Sequence, residues 1–264
     1  MAYRTHVGRG MDLSLMSNRL ALAMTGLAFV VAVAARAAGS GADVLWAPAH
    51  TFLVWALSRE IDPDRDWTAL IAAFAAGVWV LLGLDVVGAP ALAAIMLAAR
   101  VAANTTGRRP LVSDLIGLGA FAAAVSFTPT GWVAGFGLAV GLYIDDRMSG
   151  EPTRAGALAA AGAALGASGA AALGRVFPQA APGARPFFMV AVGALALLSV
   201  VRPPPPPVAL GDSGALVARS RLHSARALVG VLVFAAALVS GRGALAVGPV
   251  ALTLALSLAA AERS

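Results

Sequence analysis

The sequence predicts an all-α fold, a polytopic transmembrane helical bundle of about eight to ten spans with both termini on the cytoplasmic side. The 264 residues are 59% hydrophobic and 12% charged, whereas soluble domains carry about a quarter charged residues. Apolar stretches of the roughly 20 residues needed to cross a bilayer recur along the chain. They show no strict alternation of polar and apolar residues, which argues against a barrel. Composition therefore excludes an ordinary soluble domain.

Ten apolar stretches divide the chain, and polar or turn-forming residues separate them. The first has the small-x-small form Ala35-Arg36-Ala37 of a signal cleavage site, but the long basic segment before it favours a retained anchor. The second is short and contains Pro48 and His50, which predicts a kinked or partly inserted helix. The predicted spans are residues 19–38, 44–58, 67–87, 89–104, 111–127, 131–144, 155–174, 187–201, 227–240 and 244–261.

The order of these stretches predicts three parts. Residues 1–202 form the main transmembrane bundle of about eight spans, and residues 203–226 form a proline-rich, basic cytoplasmic linker. An unbroken proline run from Pro203 to Pro207 opens the linker and is typical of a stiff polyproline II segment. Residues 227–264 are expected to form a C-terminal transmembrane hairpin.

Arginine carries all of the positive side-chain charge outside histidine. The chain has 19 arginines, no lysine and no cysteine, which excludes lysine Schiff bases, thiolate metal sites and disulfides. With the N-terminus inside, the loop arginines favour the inner side by about three to one, as the positive-inside rule predicts. This bias indicates a bacterial-type cytoplasmic (inner) membrane, with membrane lipids as partners. No basic stretch is interleaved with aromatic residues, so we expect no nucleic acid partner.

Two acidic clusters fall in loops that this topology places on the cytoplasmic side. The first contains Asp62 and Asp64, and the second contains Asp145 and Asp146. The first begins like a calcium loop but lacks the glycine and the final glutamate of an EF-hand. Mg²⁺ commonly takes one or two carboxylates together with substrate phosphates, so these four acids are predicted Mg²⁺ ligands. Alternatively, Asp64 and Asp66 stabilise the N-terminus of the third span.

Four acids near the ends of the second and sixth spans require a compensating positive charge. They are predicted to lie just past the C-terminal ends of these helices, where the helix dipole disfavours negative charge. The acids are Glu60, Asp62, Asp145 and Asp146. The adjacent Arg59 and Arg147 could neutralise them in a structural ion-pair network, and a bound cation could do so in a functional site. The sequence leaves both interpretations open.

Arginines near the same loops are candidate phosphate ligands, because the guanidinium fork matches the geometry of phosphate and carboxylate groups. The candidates are Arg59, Arg108, Arg109 and Arg147. Anchoring of the membrane topology by positive charge is the alternative for the Arg108-Arg109 pair.

The segment from Asp145 to Thr153 reads Asp-Asp-Arg-Met-Ser-Gly-Glu-Pro-Thr and is similar to the second motif of UbiA-type prenyltransferases. The layout of two acid-bearing loops, after the second and sixth spans of a bundle of about nine helices, resembles the same family. The resemblance implies Mg²⁺ and an isoprenoid diphosphate bound at both loops. The first loop departs from the family pattern, because the segment from Arg59 to Asp64 replaces an asparagine-led series of acids.

Three functional hypotheses follow for an integral membrane protein with this sequence. The first is a Mg²⁺-dependent membrane transferase of the prenyltransferase-like kind, acting on a lipid-linked phosphate or diphosphate. The second is a transporter or permease-like protein in which His50, the one histidine inside a proposed span, belongs to a pathway. A neighbouring helix that satisfies this histidine is the alternative. The third is a scaffold without catalytic activity, whose linker engages a partner.

Overall fold

The computed structural model describes residues 5–8, 10–39, 44–84, 86–128, 131–150, 153–173, 185–211, 213–240 and 247–261. Within these ranges the protein is all-α with ten helices, which confirms the predicted class. The helices are α1 (Met16–Ala37), α2 (Trp46–Ile61), α3 (Asp66–Leu81), α4 (Ala89–Ala103), α5 (Val112–Ser126), α6 (Gly131–Met148), α7 (Arg154–Ala172), α8 (Arg185–Val201), α9 (Arg219–Ser240) and α10 (Gly248–Ala261).

Three of the described helices are long and apolar enough to cross a membrane. They are Met16–Ala37, Arg154–Ala172 and Arg219–Val239. Five further apolar helices have 10–17 residues, so at 1.5 Å per residue they are shorter than a hydrocarbon core of about 30 Å. The length and composition of the helices thus indicate a multi-pass membrane protein. The span number of eight to ten and the inside location of both termini stay predictions.

Two helix boundaries differ from the sequence prediction by six residues or more. Helix α3 ends at Leu81 rather than at residue 87, because Gly83 adopts a φ of 73°, the left-handed conformation that commonly terminates helices. Helix α9 begins at Arg219. Residues 219–226, which the sequence assigns to the linker, therefore form the first two turns of a helix.

Helices α2, α4, α6 and α9 form the centre of the bundle. Helix α4 contacts the other three, and α1 and α3 pack on α2, while α5 and α7 pack on α6. The core side chains are mostly small or branched aliphatics, among them Leu57, Leu92 and Leu138. Ion pairs at Glu60, Asp62 and Asp145 place the C-terminal ends of α2, α4 and α6 close to the first turns of α9.

Small residues allow this close packing, as the glycine pattern of the sixth span predicts. A Cβ atom on Gly141 of α6 would lie 2.7 Å from the carbonyl oxygen of Ala98 in α4. A Cβ atom on Gly137 would collide with Leu232 of α9. Glycine thus holds α6 against the two central helices that carry the charged residues described below.

Candidate functional site

The acidic residues belong to the helix ends and not to loops beyond them. Glu60 lies in the last turn of α2, and Asp62 is its C-cap residue. Helix α6 continues to Met148 and includes both Asp145 and Asp146. The prediction that these acids lie just past their helices is wrong for all but Asp62. Carboxylates in the last turn of a helix face its negative end, so their neutralisation must come from neighbouring elements.

Helix α9 supplies the positive charge for Asp62. The Nη2 atom of Arg226 lies 3.5 Å from Oδ1 of Asp62, and the Nη1 atom of Arg65 lies 3.3 Å from the same oxygen. Nε of Arg226 also donates to the carbonyl oxygen of Ile61 at 2.7 Å. Asp62 and Arg226 are 2% and 1% exposed. This ion pair is therefore part of the interior.

The same helix neutralises Asp145, five residues earlier along α9. Nη1 of Arg221 lies 2.7 Å from Oδ1 of Asp145. Nη2 of Arg221 donates to Oγ of Ser149 at 3.0 Å, and this hydroxyl donates to the carbonyl oxygen of Asp145 at 2.6 Å. Both charged side chains are buried. The first turns of α9 thus connect the ends of α2 and α6 through charge.

A third buried pair joins α2 to α4. Nε and Nη2 of Arg100 both lie 2.7 Å from Oε1 of Glu60, and the hydroxyl of Thr105 donates to Oε2. Glu60 has no exposed surface. We call the three pairs Glu60–Arg100, Asp62–Arg226 and Asp145–Arg221 the charge layer. The ion-pair interpretation of the acids is the one that the geometry supports, with arginines that the sequence reasoning did not choose.

The negative charge of the Asp62 carboxylate is unfavourable in the protein interior. Burial raises the pKa of the Asp62 carboxyl above its ordinary value, while the positive charges of Arg226 and Arg65 act in the opposite direction. Desolvation of a buried carboxylate commonly exceeds the attraction of its partners. Removal of either arginine should therefore leave a carboxylate that the interior does not tolerate.

The remaining acids have separate roles. Oδ1 of Asp64 accepts hydrogen bonds from the backbone N–H groups of Val208 and Ala209 at 3.1 and 2.7 Å. Asp64 therefore holds the segment after the proline run and does not cap α3. Asp66 lies in the first turn of α3, in agreement with the predicted stabilisation of that helix end. Oδ1 of Asp146 accepts from the backbone N–H of Thr153 at 2.7 Å.

The four predicted magnesium ligands do not form one ligand set in this arrangement. Asp145 and Asp146 line a small cavity of about 40 Å³, and neither Asp62 nor Asp64 lines it. Among the described residues, no group of three or more His, Asp or Glu side chains could hold a metal ion. Mg²⁺ binding at these acids stays a prediction.

The four predicted phosphate ligands also have different surroundings. Arg59 forms an ion pair with Asp66 and lines the larger cavity described below. Nη2 of Arg109 donates to the carbonyl oxygen of Ser149. The guanidinium of Arg147 lies over the ring of Tyr143, 5.2 Å from its centroid. Arg108 is exposed and borders a space of about 10 Å³. Of the four, the structure brings Arg59 to a cavity of ligand size.

His50 is fixed by two backbone carbonyl groups. Its Nε2 lies 2.6 Å from the carbonyl oxygen of Val87, and its Nδ1 lies 2.8 Å from that of Trp46. The imidazole is 2% exposed and links α2 to the segment before α4. The partners are the backbone of its own helix and of the segment before α4, and not the neighbouring helix of the alternative interpretation. His50 lines neither the cavity at Asp145 and Asp146 nor the larger cavity described below.

A cavity of about 450 Å³ adjoins the Glu60–Arg100 pair. Its polar wall contains charged side chains of both signs, and its apolar wall contains aromatic and thioether side chains. The charged residues are Asp12, Arg59, Glu60 and Arg100, and the large apolar ones are Met11, Leu15, Phe52, Trp55 and Met96. Ligand cavities commonly have 300–1,000 Å³ and a few polar groups on an apolar lining. We call this space the α2 cavity.

The walls of the α2 cavity come from α2, α4 and the segment that leads into α1. Helix α1 packs on α2 and α3, and over its described length it makes no contact with α4. Trp55 is 8% exposed, and its indole N–H has no hydrogen-bond partner among the described residues. Buried polar groups are normally satisfied. The Trp55 ring thus lines the cavity, whereas its N–H has almost no accessible surface and does not face it. The cavity lies on one face of α2, beside α4 and the segment that leads into α1.

Taken together, the structure defines an all-α protein with candidate membrane helices, a buried charge layer and an amphipathic cavity. No family model matches the chain, and neither curated proteins nor solved structures provide a match. The resemblance of the segment from Asp145 to Thr153 to a prenyltransferase motif thus has no support from these comparisons.

The sequence reasoning missed Arg100, Arg221, Arg226 and Trp55. Arg100 had a signal, because it is the one charged residue in the apolar run of α4, and an ionisable residue in such a run indicates function or a buried partner. Arg221 and Arg226 lie in a segment whose basic composition is typical of a solvated loop. Their burial depends on the docking of α9, which no local pattern in that segment reveals.

Proposed function

We propose that the protein is a multi-pass membrane protein that binds an amphipathic molecule from the bilayer in the α2 cavity. The single observation that supports this function best is the two-sided lining of the cavity. The polar wall, with Arg59, Glu60 and Arg100, suits a headgroup, and the apolar wall, with Phe52 and Met96, suits a hydrocarbon chain.

Lipid-linked phosphates belong to the class of molecule that such a cavity accommodates. Arg59, one of the predicted phosphate ligands, lines its polar wall. The four acids predicted to hold Mg²⁺ do not line this cavity. The proposed function is therefore binding alone, without a transfer reaction.

Blocking the cavity should prevent an amphiphile from reaching Trp55. A Cβ atom on Gly10, which lines the cavity, would have no heavy atom within 4 Å, so Gly10→Phe places a large side chain there without a clash at Cβ. In micelles of dodecyl maltoside with a brominated chain, we expect quenching of Trp55 fluorescence in the wild type and loss of most of it in Gly10→Phe. The Trp55 signal is isolated by subtracting the matching variant that also carries Trp55→Phe.

The matched control is Gly117→Phe on α5, because that Cβ position is also open and lies outside the cavity. The control should quench like the wild type. Equal quenching in all three proteins would show that the bromine reaches Trp55 by another route. No quenching of the wild-type Trp55 would contradict the proposed function.

A further inference from the structure

One side of the α2 cavity is formed by the chain segment that precedes α1. Gly8, Gly10, Met11 and Asp12 line the cavity together with residues of α2 and α4. None of these four residues is buried, so no second layer of chain lies over them. We call the described residues 5–8 and 10–12 the strap. A molecule that reaches the cavity from this side must pass the strap.

The C-terminal end of the strap is fixed to the start of α1. Nδ2 of Asn18 donates to the carbonyl oxygen of Asp12 at 2.8 Å, and Oδ1 of Asp12 accepts from the backbone N–H of Ser14 at 2.9 Å. Asn18 is 8% exposed. These contacts join residues at most six positions apart, so they form whatever the position of the other end of the strap.

The N-terminal end of the strap is held by α5, more than 100 residues away in the sequence. The hydroxyl of Thr5 donates to Oδ1 of Asp114 at 2.6 Å, and the backbone N–H of His6 donates to Oδ2 at 2.9 Å. We call these two contacts the latch. Thr5 is exposed, and hydrogen bonds that water can replace contribute modestly to stability. The latch is therefore the weaker of the two attachments.

Between its ends the strap has few contacts with the bundle. Of its described residues, Val7 is the one that is buried, and Met11 packs partly on the same core. The carbonyl oxygen of Val7 lies 3.4 Å from Nη1 of Arg100, which is long for a hydrogen bond. Segments with few buried apolar contacts open locally at a lower free energy than the whole fold. Opening of the strap thus requires release of the latch and of one buried side chain.

We propose that the strap is the entry gate of the α2 cavity and that release of the latch at Asp114 opens it. This inference rests on the proposed function and adds how access to the cavity is controlled. Thr5, His6 and Asp114 do not line the cavity. The latch therefore sets the rate at which an amphiphile enters and leaves, while the groups that the amphiphile contacts stay the same.

The rate at which Trp55 becomes quenched tests the gate. Protein in unbrominated dodecyl maltoside is mixed in a stopped-flow instrument with an excess of brominated dodecyl maltoside micelles. The Trp55 signal is again obtained by subtraction of the Trp55→Phe variant. The tryptophans that remain in that variant include Trp67, which is 50% exposed, and they report the arrival of bromine at the protein surface. In the wild type we expect Trp55 to be quenched more slowly than this surface signal.

A pair of substitutions at Thr5 isolates the hydroxyl group of the latch. Thr5→Val removes the hydroxyl with little change of shape, so quenching of Trp55 should become about three- to tenfold faster, as the loss of one or two hydrogen bonds predicts. Thr5→Ser keeps the hydroxyl and should retain the wild-type rate. Equal acceleration in Thr5→Ser and Thr5→Val would contradict a latch at Asp114.

A reversible cross-link closes the gate in the same protein. The chain has no cysteine, so Thr5→Cys/Asp114→Cys contains a single pair of thiols. Without a cross-link this variant lacks the latch and should show the faster quenching. A short bis-methanethiosulfonate that bridges the two thiols should abolish quenching of Trp55 on the stopped-flow time scale, and a reductant should restore it. Methyl methanethiosulfonate, which modifies both thiols without joining them, is the matched control and should leave quenching fast.

The outcomes distinguish this proposal from the function on which it rests. If Trp55 is quenched at one rate in the wild type, in Thr5→Val and in the bridged protein, the strap is not the gate and amphiphile binding stands. If methyl methanethiosulfonate slows quenching as much as the bridge does, closure of the strap is not the cause and the gate is overturned. Absence of Trp55 quenching in the wild type overturns both proposals.

Discussion

Arg226→Met should lower the free energy of unfolding by about 3–5 kcal/mol, because it leaves the buried Asp62 carboxylate without its partner from α9. Arg226 is 1% exposed and Asp62 is 2% exposed, so water does not replace the lost charge. Methionine retains most of the aliphatic volume. The measurement is equilibrium unfolding in mixed micelles, with helicity followed by circular dichroism.

The pH dependence of this loss identifies its cause. Burial already raises the pKa of Asp62 in the folded protein, so the folded state binds the proton more readily than the unfolded state. The contribution of Asp62 to stability therefore rises as pH falls from the raised pKa towards the ordinary value of 3.8. Because the charge of Arg226 lowers this pKa, Arg226→Met raises the pKa of Asp62 further. The deficit of the variant should therefore shrink as pH falls from the Asp62 pKa of the folded variant to that of the folded wild type.

The double variant Asp62→Asn/Arg226→Met is the control for packing. Removal of both charges should recover most of the loss, since replacing a whole buried pair is often close to neutral. A double variant as unstable as the sum of its single variants, together with a deficit that does not change with pH, would show that the two side chains contribute independently and that the pair does not hold α9.

Arg100→Leu should have a similarly large effect, also about 3–5 kcal/mol, because Glu60 is fully buried and keeps Thr105 as its one described donor. The variant Glu60→Leu/Arg100→Leu should be more stable than Arg100→Leu alone. The double variant should regain stability, while the polar wall of the α2 cavity loses the charged groups of Glu60 and Arg100. Unfolding measurements and the Trp55 quenching assay on the same preparations separate stability from binding.

The decisive comparison is between the unfolding midpoint and the Trp55 quenching of the double variant. We expect the double variant to unfold near the wild-type midpoint and to lose most of the Trp55 quenching by brominated dodecyl maltoside. A double variant that keeps the wild-type quenching would exclude Arg100 from the ligand site. One that is less stable than Arg100→Leu would contradict the assignment of Glu60–Arg100 as a mutually compensating pair.

Much of the fold could be predicted from the sequence, because apolar runs and turn residues determine where helices begin and end. The predicted ranges 89–104 and 131–144 lie within a few residues of α4 and α6. The end of α3 was misplaced because apolar residues continue beyond Gly83, whose positive φ ends the helix. The start of α9 was misplaced because its first two turns are rich in arginine, which is typical of a linker.

The candidate site was predictable in part. The sequence correctly indicated that the acids need compensating positive charge, since negative charge at a helix C-terminus is unfavourable whatever the fold. Arg221 and Arg226 could not be identified as the partners, because each lies far from its acid in the sequence and meets it only through helix packing. Arg221 is 76 residues from Asp145, and Arg226 is farther still from Asp62. The α2 cavity depends on the placement of α1 relative to α4, a tertiary feature without a local pattern.

Photolabelling with dodecyl maltoside that carries a diazirine at the end of its chain tests the central claim most directly. Mass spectrometry of the labelled protein locates the chain. Binding in the α2 cavity predicts label on the residues around Leu15 and Met96, lost in Gly10→Phe and retained in Gly117→Phe. Label spread over the exposed faces of α7 and α8, with the same pattern in both variants, would contradict the account.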